Sequence, residues 1–329
     1  AFGQHVQLLR AHALGSFSEM LDGVAYDPAM LMALDGASNR KSRLSLPFAR
    51  AFLEELTVGP EQFSEGDVRD VARAFTGVFV LRSRLRLVDR EHDDGPKRIF
   101  GREGPWTGHD AVKIVLAQPA AARLLVGKLY RWLVSETEPP SEALIAPLAA
   151  SFAKDYDIAK LVGTVLRSNQ FFSAAAYRQR VKSPVEYALG IVRPMEGVVN
   201  TEALGNDLAN MGQELCHPPT IKGWAGGRTW ITDSTLIRRN NLAWALLSGS
   251  EPYGGQLDPR GVARKHGHSS TEKTSRFFRE LYLQDDLGPA ARQRLTGLLS
   301  DGESGRGDPV KFSRQLAHAV VTLPEFQLA

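Results

Sequence analysis

The chain has 329 residues, 43% apolar and 23% charged, an ordinary globular composition long enough to bury one large core or two smaller ones. Its 40 lysines and arginines stand against 37 aspartates and glutamates, so the formal charge is only +3, and no long run of like charge offers an arm for nucleic acid. The single cysteine, Cys216, excludes an internal disulfide framework or a thiolate metal centre within one chain, and no apolar run approaches the roughly 20 residues of a transmembrane helix.

The first stretch, "AFGQHVQLLRAHALGSF", begins in mid-pattern, with Val6, Leu8, Leu9 and Leu14 already on a buried face. The chain therefore reads as the remainder of a longer product, and the lack of a leader says little about export. Next comes "EMLDGVAYDPAMLMALDG", two short apolar helices broken at Asp27-Pro28. The same unit recurs around Gln118-Pro119, Ser168-Asn169 and Leu323-Pro324. Proline at a first helical position explains three of these breaks. Their irregular spacing excludes a solenoid. The pattern predicts an all-α fold, mostly helical and bundle-like, made of helical hairpins with long loops. Any strands are expected to be short and near Val78 to Val88.

"FARAFLEELTVGPEQFSEGDVRDVARAFTG", Phe48 to Gly77, reads as two helices. Pro47 suits the first turn of one, and Phe48, Phe52, Leu53 and Leu56 make its buried stripe. Ser64 is the expected N-cap of the other, with Asp67 in a capping-box position. Val68, Val71, Ala72 and Phe75 follow at helical spacing, and Gly77 stops the helix. Arg50 and Glu54 lie one turn apart. Arg73 borders the apolar stripe. Arg50, Glu54 and Arg73 are thus expected to share a partly buried polar region, with Arg69 and Asp70 in solvent. "RSRLRLVDR", Arg82 to Arg90, alternates arginine with leucine and reads as an extended segment with one wet face.

Four irregular stretches are long for a compact domain: Asp35 to Leu46, Leu81 to Gly108, Cys216 to Asp233, and Gly249 to Ser270. The last marks the expected boundary between a helical core at 1–248 and a linker with C-terminal helices at 249–329. Those helices are expected near Glu272 to Leu283, Gly288 to Leu299, and from Pro309 onward behind an Asp308 cap.

The familiar catalytic signatures are missing: no phosphate loop, no dinucleotide glycine pattern, no His-Glu-x-x-His, no nucleophile elbow. His266 and His268 in "KHGHSS" suit a metal or a plain polar loop. In "DREHDDGPKRIFG", His92, Asp93, Asp94 and Lys97 crowd a glycine turn. A histidine beside carboxylates serves as acid, base or metal ligand; a self-bonded polar turn fits the same residues. In "HPPTIKGWAGGRTWITDSTLIRRNN", Trp224 and Trp230 share a stiff loop with Lys222 and Arg228. They suit stacking on a flat ligand or closing a helical core.

These blocks, in order, resemble a large bacterial family, domain of unknown function 1800. The resemblance rests on "RAHALGSF", "DPAMLMALDGASNRK", "FARAFLEELTVG", "DVRDVARAFTG", "HDDGPKRIFG", "PAAARLLVGKLYRWLV", "VKSPVEYALG" and "HPPTIKGWAGGRTWI". It runs from about Leu9 to Leu247 and is loose beyond. It implies an exported protein of the periplasm or cell envelope, a further N-terminal portion, and as partner a secreted sulfatase-like protein encoded nearby. Members commonly show N-E-N-[FY]-A-R-E where this chain has Ser45 to Ala51. Arg50 stays, but both acidic positions and both asparagines are lost. His92, Asp93, Gly95 and Lys97 match the family's H-D-x-G-x-K block, and Lys222, Gly223, Trp224 and Trp230 also match.

The leading expectation is a binding or structural role, with a polar pocket for a saccharide or anionic ligand. Arg50, Glu54, Arg73, Lys97, Lys222, Trp224 and Trp230 would line it. One alternative is a hydrolase of an envelope polymer, with or without a metal, using His92 and Asp93. Another is a subunit of a larger assembly docked through the C-terminal helices. No cofactor is specified. The "HDDGPK" turn and the "KGWAGG" loop are expected to meet in space, because a helical scaffold gathers such loops at one end.

Overall fold

Helices begin in this chain where a short polar side chain can accept from free N–H groups. Asp27 Oδ1 accepts from the Ala29 and Met30 amides at 2.9 and 3.0 Å, just ahead of Pro28. Ser64 with Asp67, Thr107 with Asp110, and Ser183 with Glu186 form reciprocal capping boxes. The computed structural model of the chain describes residues 1–303 and 308–329. It is mostly helical, with a few short strands. It divides into two compact units, Ala1–Ala176 and Tyr177–Ala329.

The first unit runs α1 (Phe2–His12), α2 (Phe17–Ala25), α3 (Pro28–Ala33), β1 (Ser38–Asn39), α4 (Leu46–Ala51), α5 (Glu65–Ala74), β2 (Val78–Leu81), β3 (Arg84–Leu87), β4 (Lys97–Ile99), β5 (Arg102–Gly104), α6 (Gly108–Leu116), α7 (Pro119–Leu133), α8 (Glu142–Phe152) and α9 (Ile158–Leu166). Its core centres on Phe48, Phe52 and Phe75, packed edge to face with centroids 5.2 and 5.5 Å from Phe75. The strands form an antiparallel sheet in the order β1-β2-β3, and a separate β4-β5 hairpin. The β2–β3 hairpin lies where strands are expected; β1 and the β4-β5 hairpin lie outside that window. Arg82 and Ser83, both at positive φ, make the tight β2–β3 turn.

One helix departs from its expected form. After α4 the chain widens into a π-helix, Phe52–Thr57. The Thr57 hydroxyl bonds the carbonyls of Phe52 and Leu53 at 2.9 and 3.1 Å. Such side-chain bonding helps a wider turn keep its carbonyls satisfied, and apolar spacing alone does not reveal it.

The second unit runs α10 (Pro184–Val192), α11 (Thr201–Asn210), α12 (Asp233–Ser248), α13 (Pro259–Lys265), α14 (Thr271–Leu283), α15 (Pro289–Glu303), α16 (Pro309–Val321) and α17 (Pro324–Gln327). Tyr187, Tyr282 and Phe326 meet in its core. Arg239 is buried there, donating to the Lys182 carbonyl at 2.7 Å and to Gln327 Oε1 at 3.1 Å, with its guanidinium over the Tyr187 ring. Burial lowers its pKa to about 10. The stretch expected as a boundary linker sits inside this unit: Tyr253 and Leu257 are buried in the same core as Leu242 and Phe278. The division therefore falls at Ala176, well before residue 248. Among the described residues no helix is long and apolar enough to cross a membrane.

Candidate functional site

Helix α5 grips the turn that follows β3. Arg73 Nε donates to Asp93 Oδ2 at 2.7 Å, Nη2 to Asp93 Oδ1 at 3.2 Å, and Nη1 to Asp70 Oδ1 and the Pro96 carbonyl at 2.9 and 3.0 Å. That hydrogen bonding holds the Asp93 carboxyl below its ordinary pKa. Asp70 is not in solvent as expected. Its second oxygen accepts the Arg98 amide at 2.7 Å, and Asp67 accepts the Phe100 amide at 2.7 Å, so the acidic face of α5 holds β4 and the turn behind it. Arg69 is exposed.

Lys97 is buried, 1% exposed. Its ammonium donates to the carbonyls of Asp93 and Gly95 at 2.5 and 3.1 Å, and burial lowers its pKa. Arg73 and Lys97 are thus the internal fasteners of the "HDDGPK" turn. Arg50 stands apart from them. It is bidentate to Glu65 at 2.7 and 2.6 Å, with Glu54 adding a weaker attraction. Glu65 opens α5 and Arg73 nearly closes it, on the order of 12 Å along the axis. The expected shared region of Arg50, Glu54 and Arg73 is corrected accordingly: its arginines bond different carboxylates at opposite ends of one helix.

His92 is oriented by Thr76. Its Nδ1 lies 2.9 Å from the Thr76 carbonyl. A carbonyl only accepts, so Nδ1 carries the proton; Nε2, 4.0 Å from Asp94 Oδ1, is the acceptor in the neutral ring. The Thr76 hydroxyl donates to the Arg73 carbonyl at 2.6 Å and accepts the Asp93 amide at 2.8 Å, locking the turn onto the end of α5.

Beside His92 opens a cleft of about 220 Å³, lined by Tyr26, Thr76, Gly77, Leu87, Asp89, Thr107, Gly108 and His109 among others. His109 Nδ1 sits 2.6 Å from Asp22 Oδ1, and its ring stacks on Tyr26 at 4.4 Å. The Asp22 carboxylate accepts, so this histidine too carries a proton on Nδ1, and in the neutral ring Nε2 is the acceptor. Burial pushes the Tyr26 phenol well above its ordinary pKa. Two glycines let the walls close. A methyl at Gly108 would lie 2.3 Å from the Tyr26 hydroxyl, and one at Gly77, where φ is +82°, would lie 3.0 Å from the Val88 carbonyl.

The tryptophan loop lies in the second unit. Trp230 is buried, and its carbonyl accepts from the Thr235 hydroxyl at 3.0 Å. It closes that unit's core and offers no open face, which corrects its expected stacking role. Trp224 is half-buried and Lys222 exposed. His266 pairs with Glu196 at 3.0 Å, and both His266 and His268 stack on Phe277. Among the described residues no group of three or more His, Cys, Asp or Glu is placed to hold a metal ion.

The sequence reading missed Asp22, Tyr26, Thr76 and His109. "TGHD" does carry a capping box, which places His109 in the first turn of a helix. Its pairing with Asp22, far back along the chain, leaves no local trace.

A family model described as "Protein of unknown function (DUF1800)" matches residues 1–328 of the chain. The match extends through the C-terminal helices, where the resemblance in sequence blocks was loose. No curated protein matches the chain, and no solved structure does either.

Proposed function

We propose, for a chain that belongs to the DUF1800 family of unknown function, a binding role in which the cleft of the first unit takes a hydroxyl-rich ligand, a saccharide. The supporting observation is the matched state of its two histidines. His92 and His109 both direct Nδ1–H at fixed protein acceptors, Thr76 and Asp22, so that each neutral ring leaves Nε2 as a lone-pair acceptor. Sugar hydroxyls are donors that such nitrogens accept. The anionic alternative draws no support from Arg73 and Lys97, whose polar atoms already hold the turn. A cell-envelope location and a secreted sulfatase-like partner go with this reading on the family resemblance alone.

Titration calorimetry of the full chain against a panel of neutral oligosaccharides tests it. His92→Ala and His109→Ala should each weaken binding by about tenfold, the worth of one well-placed hydrogen bond. Unchanged affinity in both variants disproves the reading.

The Asp22–His109 pair favours a second reading, a hydrolase. A histidine fixed by a carboxylate is the arrangement of an oriented general base, with His109 Nε2 placed to take a proton from an attacking water. The base would be His109, not the expected His92 with Asp93, since Asp93 is turned to Arg73. Should an oligosaccharide that binds also be cleaved, Asp22→Asn lowers the rate more than the affinity. Binding without cleavage leaves the binding role alone.

A further inference from the structure

The sheet β1-β2-β3 gathers exposed arginines that have no carboxylate within salt-bridge distance. The β2–β3 register pairs Phe79 with Arg86 and Leu81 with Arg84, so these four side chains share one face. Arg40, just past β1, lies over the Phe79 ring at 5.2 Å, and Arg82 stands at the hairpin turn. All four arginines are exposed. Among the described residues none of them has a carboxylate partner. Of the unit's arginines, Arg50, Arg73 and Arg123 are paired within 3 Å; what sets the sheet apart is that Arg40, Arg84 and Arg86 are gathered on one face. In a chain of net charge only +3, an unpaired cluster of this kind is a local polarisation of the surface. Arg84 and Arg86, two residues apart on one strand, stand about 7 Å from each other. That is inside the roughly 10 Å screening length of dilute salt, so their fields reinforce.

The opposite face of the same hairpin carries Val78 and Leu87, which line the cleft. Strand β3 is also the edge of its sheet. The cleft wall and the arginines thus stand on the two faces of one edge hairpin, within reach of a single polymer chain. We infer that the ligand of this protein is an acidic polysaccharide: its hydroxyls seat against His92 and His109, and the carboxylate or sulfate groups of neighbouring sugars lie along Arg40, Arg84 and Arg86. This rests on the saccharide reading of the cleft. Arginine suits the role because its planar fork matches a carboxylate or sulfate with two hydrogen bonds.

The test uses the full chain with polygalacturonate, neutral dextran, duplex DNA and phosphatidylglycerol vesicles, at low and high salt. Wild type should bind polygalacturonate most tightly, and salt should weaken that binding. An exposed arginine contact is worth up to about fivefold. The triple variant Arg40→Gln, Arg84→Gln, Arg86→Gln should therefore bind polygalacturonate about tenfold more weakly or worse. Exchange of Arg84 and Arg86 for lysine should restore it only in part. These side chains are exposed, so circular dichroism of the variants should match wild type. If the triple variant binds as wild type does while His92→Ala and His109→Ala weaken binding, the cleft stands and this inference falls. If the arginines matter and the histidines do not, the basic face is upheld and the saccharide reading of the cleft fails. Tighter binding of DNA or of the vesicles than of polygalacturonate overturns the inference in favour of that partner.

Discussion

Asp93 shows how a residue can be placed correctly by sequence while its main partner stays hidden: the Gly95 N–H bonds its carboxylate at 2.9 Å, the self-bonded turn that its sequence suggests. The sequence put it beside His92 in a polar glycine turn, and the turn is there. What no local pattern discloses is that Arg73, twenty residues earlier, closes on its carboxylate. With Arg73 and Asp93 each less than a quarter exposed, the pairing stabilises the first unit by about 2 kcal/mol. The sign of its pH dependence follows from the lowered carboxyl pKa. The contribution is complete above the unfolded carboxyl's 3.8 and is lost as pH falls through the folded value below it. Asp93→Asn keeps the shape and removes the titration. Urea unfolding should show wild type more stable than Asp93→Asn at neutral pH by about 2 kcal/mol, with the gap closing below pH ~4. A gap that persists unchanged into acid would show that the carboxylate is not what fastens the turn.

At the scale of elements, the caps and stripes were legible because they are local. Ser64 with Asp67, Asp308 and the proline-led helix starts all stand where spacing placed them. The π-helical widening at Phe52 was not legible, and neither was the second hairpin, β4-β5, which depends on Asp67 and Asp70 holding its strand from another element. The start of α6 is a similar case. Gly108 reads as an unremarkable residue after a threonine cap. In the fold it is the point where α6 meets Tyr26 on the chain just past α2, and Phe75 just past α5. A methyl there would come within 2.3 Å of the Tyr26 hydroxyl and 2.6 Å of the Phe75 ring. The backbone at Gly108 is helical, so the cost of Gly108→Ala is steric and not conformational. It should destabilise the first unit by about 1–3 kcal/mol, as overpacking of a tight core does. It should also displace the Tyr26 ring from His109, visible as changed ring shifts in proton NMR. Replacement of exposed Gly101 by alanine, where φ is +77° and nothing lies within 4 Å, separates the two causes, since its cost is backbone strain of about 1 kcal/mol with no change at Tyr26. Equal costs with equal spectra would remove the steric account of Gly108.

For the whole molecule, the helical class was readable from composition and periodicity, but the division of the chain was not. The glycine-rich stretch after Gly249 has the composition of a linker. Its buried residues, Tyr253 and Leu257 and then Pro259, Val262 and Ala263 on the short helix α13, stand among glycines and charges, so the pattern hides a segment that packs along its length. The true division near Ala176 falls in "NQFFSAAAYRQR", which carries aromatic residues and no proline or glycine. Its meaning lies in the cores on either side. Every buried residue of one core precedes Ser168, and every buried residue of the other follows Ser183. Each unit thus has its own apolar interior, and each falls within the ordinary size range of an independent domain. The second also ties its own ends together. Arg180 and Ala329 exchange backbone hydrogen bonds at 3.2 and 2.7 Å, the Lys182 amide bonds the Gln327 carbonyl at 2.8 Å, and Arg239 holds both strands from beneath. Separate expression of Ala1–Ala176 and Tyr177–Ala329 should therefore give two helical proteins, each unfolding cooperatively in urea. The first should keep the cleft and its affinity for neutral oligosaccharides, since His92, His109, Asp22 and Thr76 all lie within it. A first fragment that folds but binds no oligosaccharide bound by the full chain would overturn the assignment of the site to the first unit. A fragment that does not fold would show that its core is completed only in the intact chain.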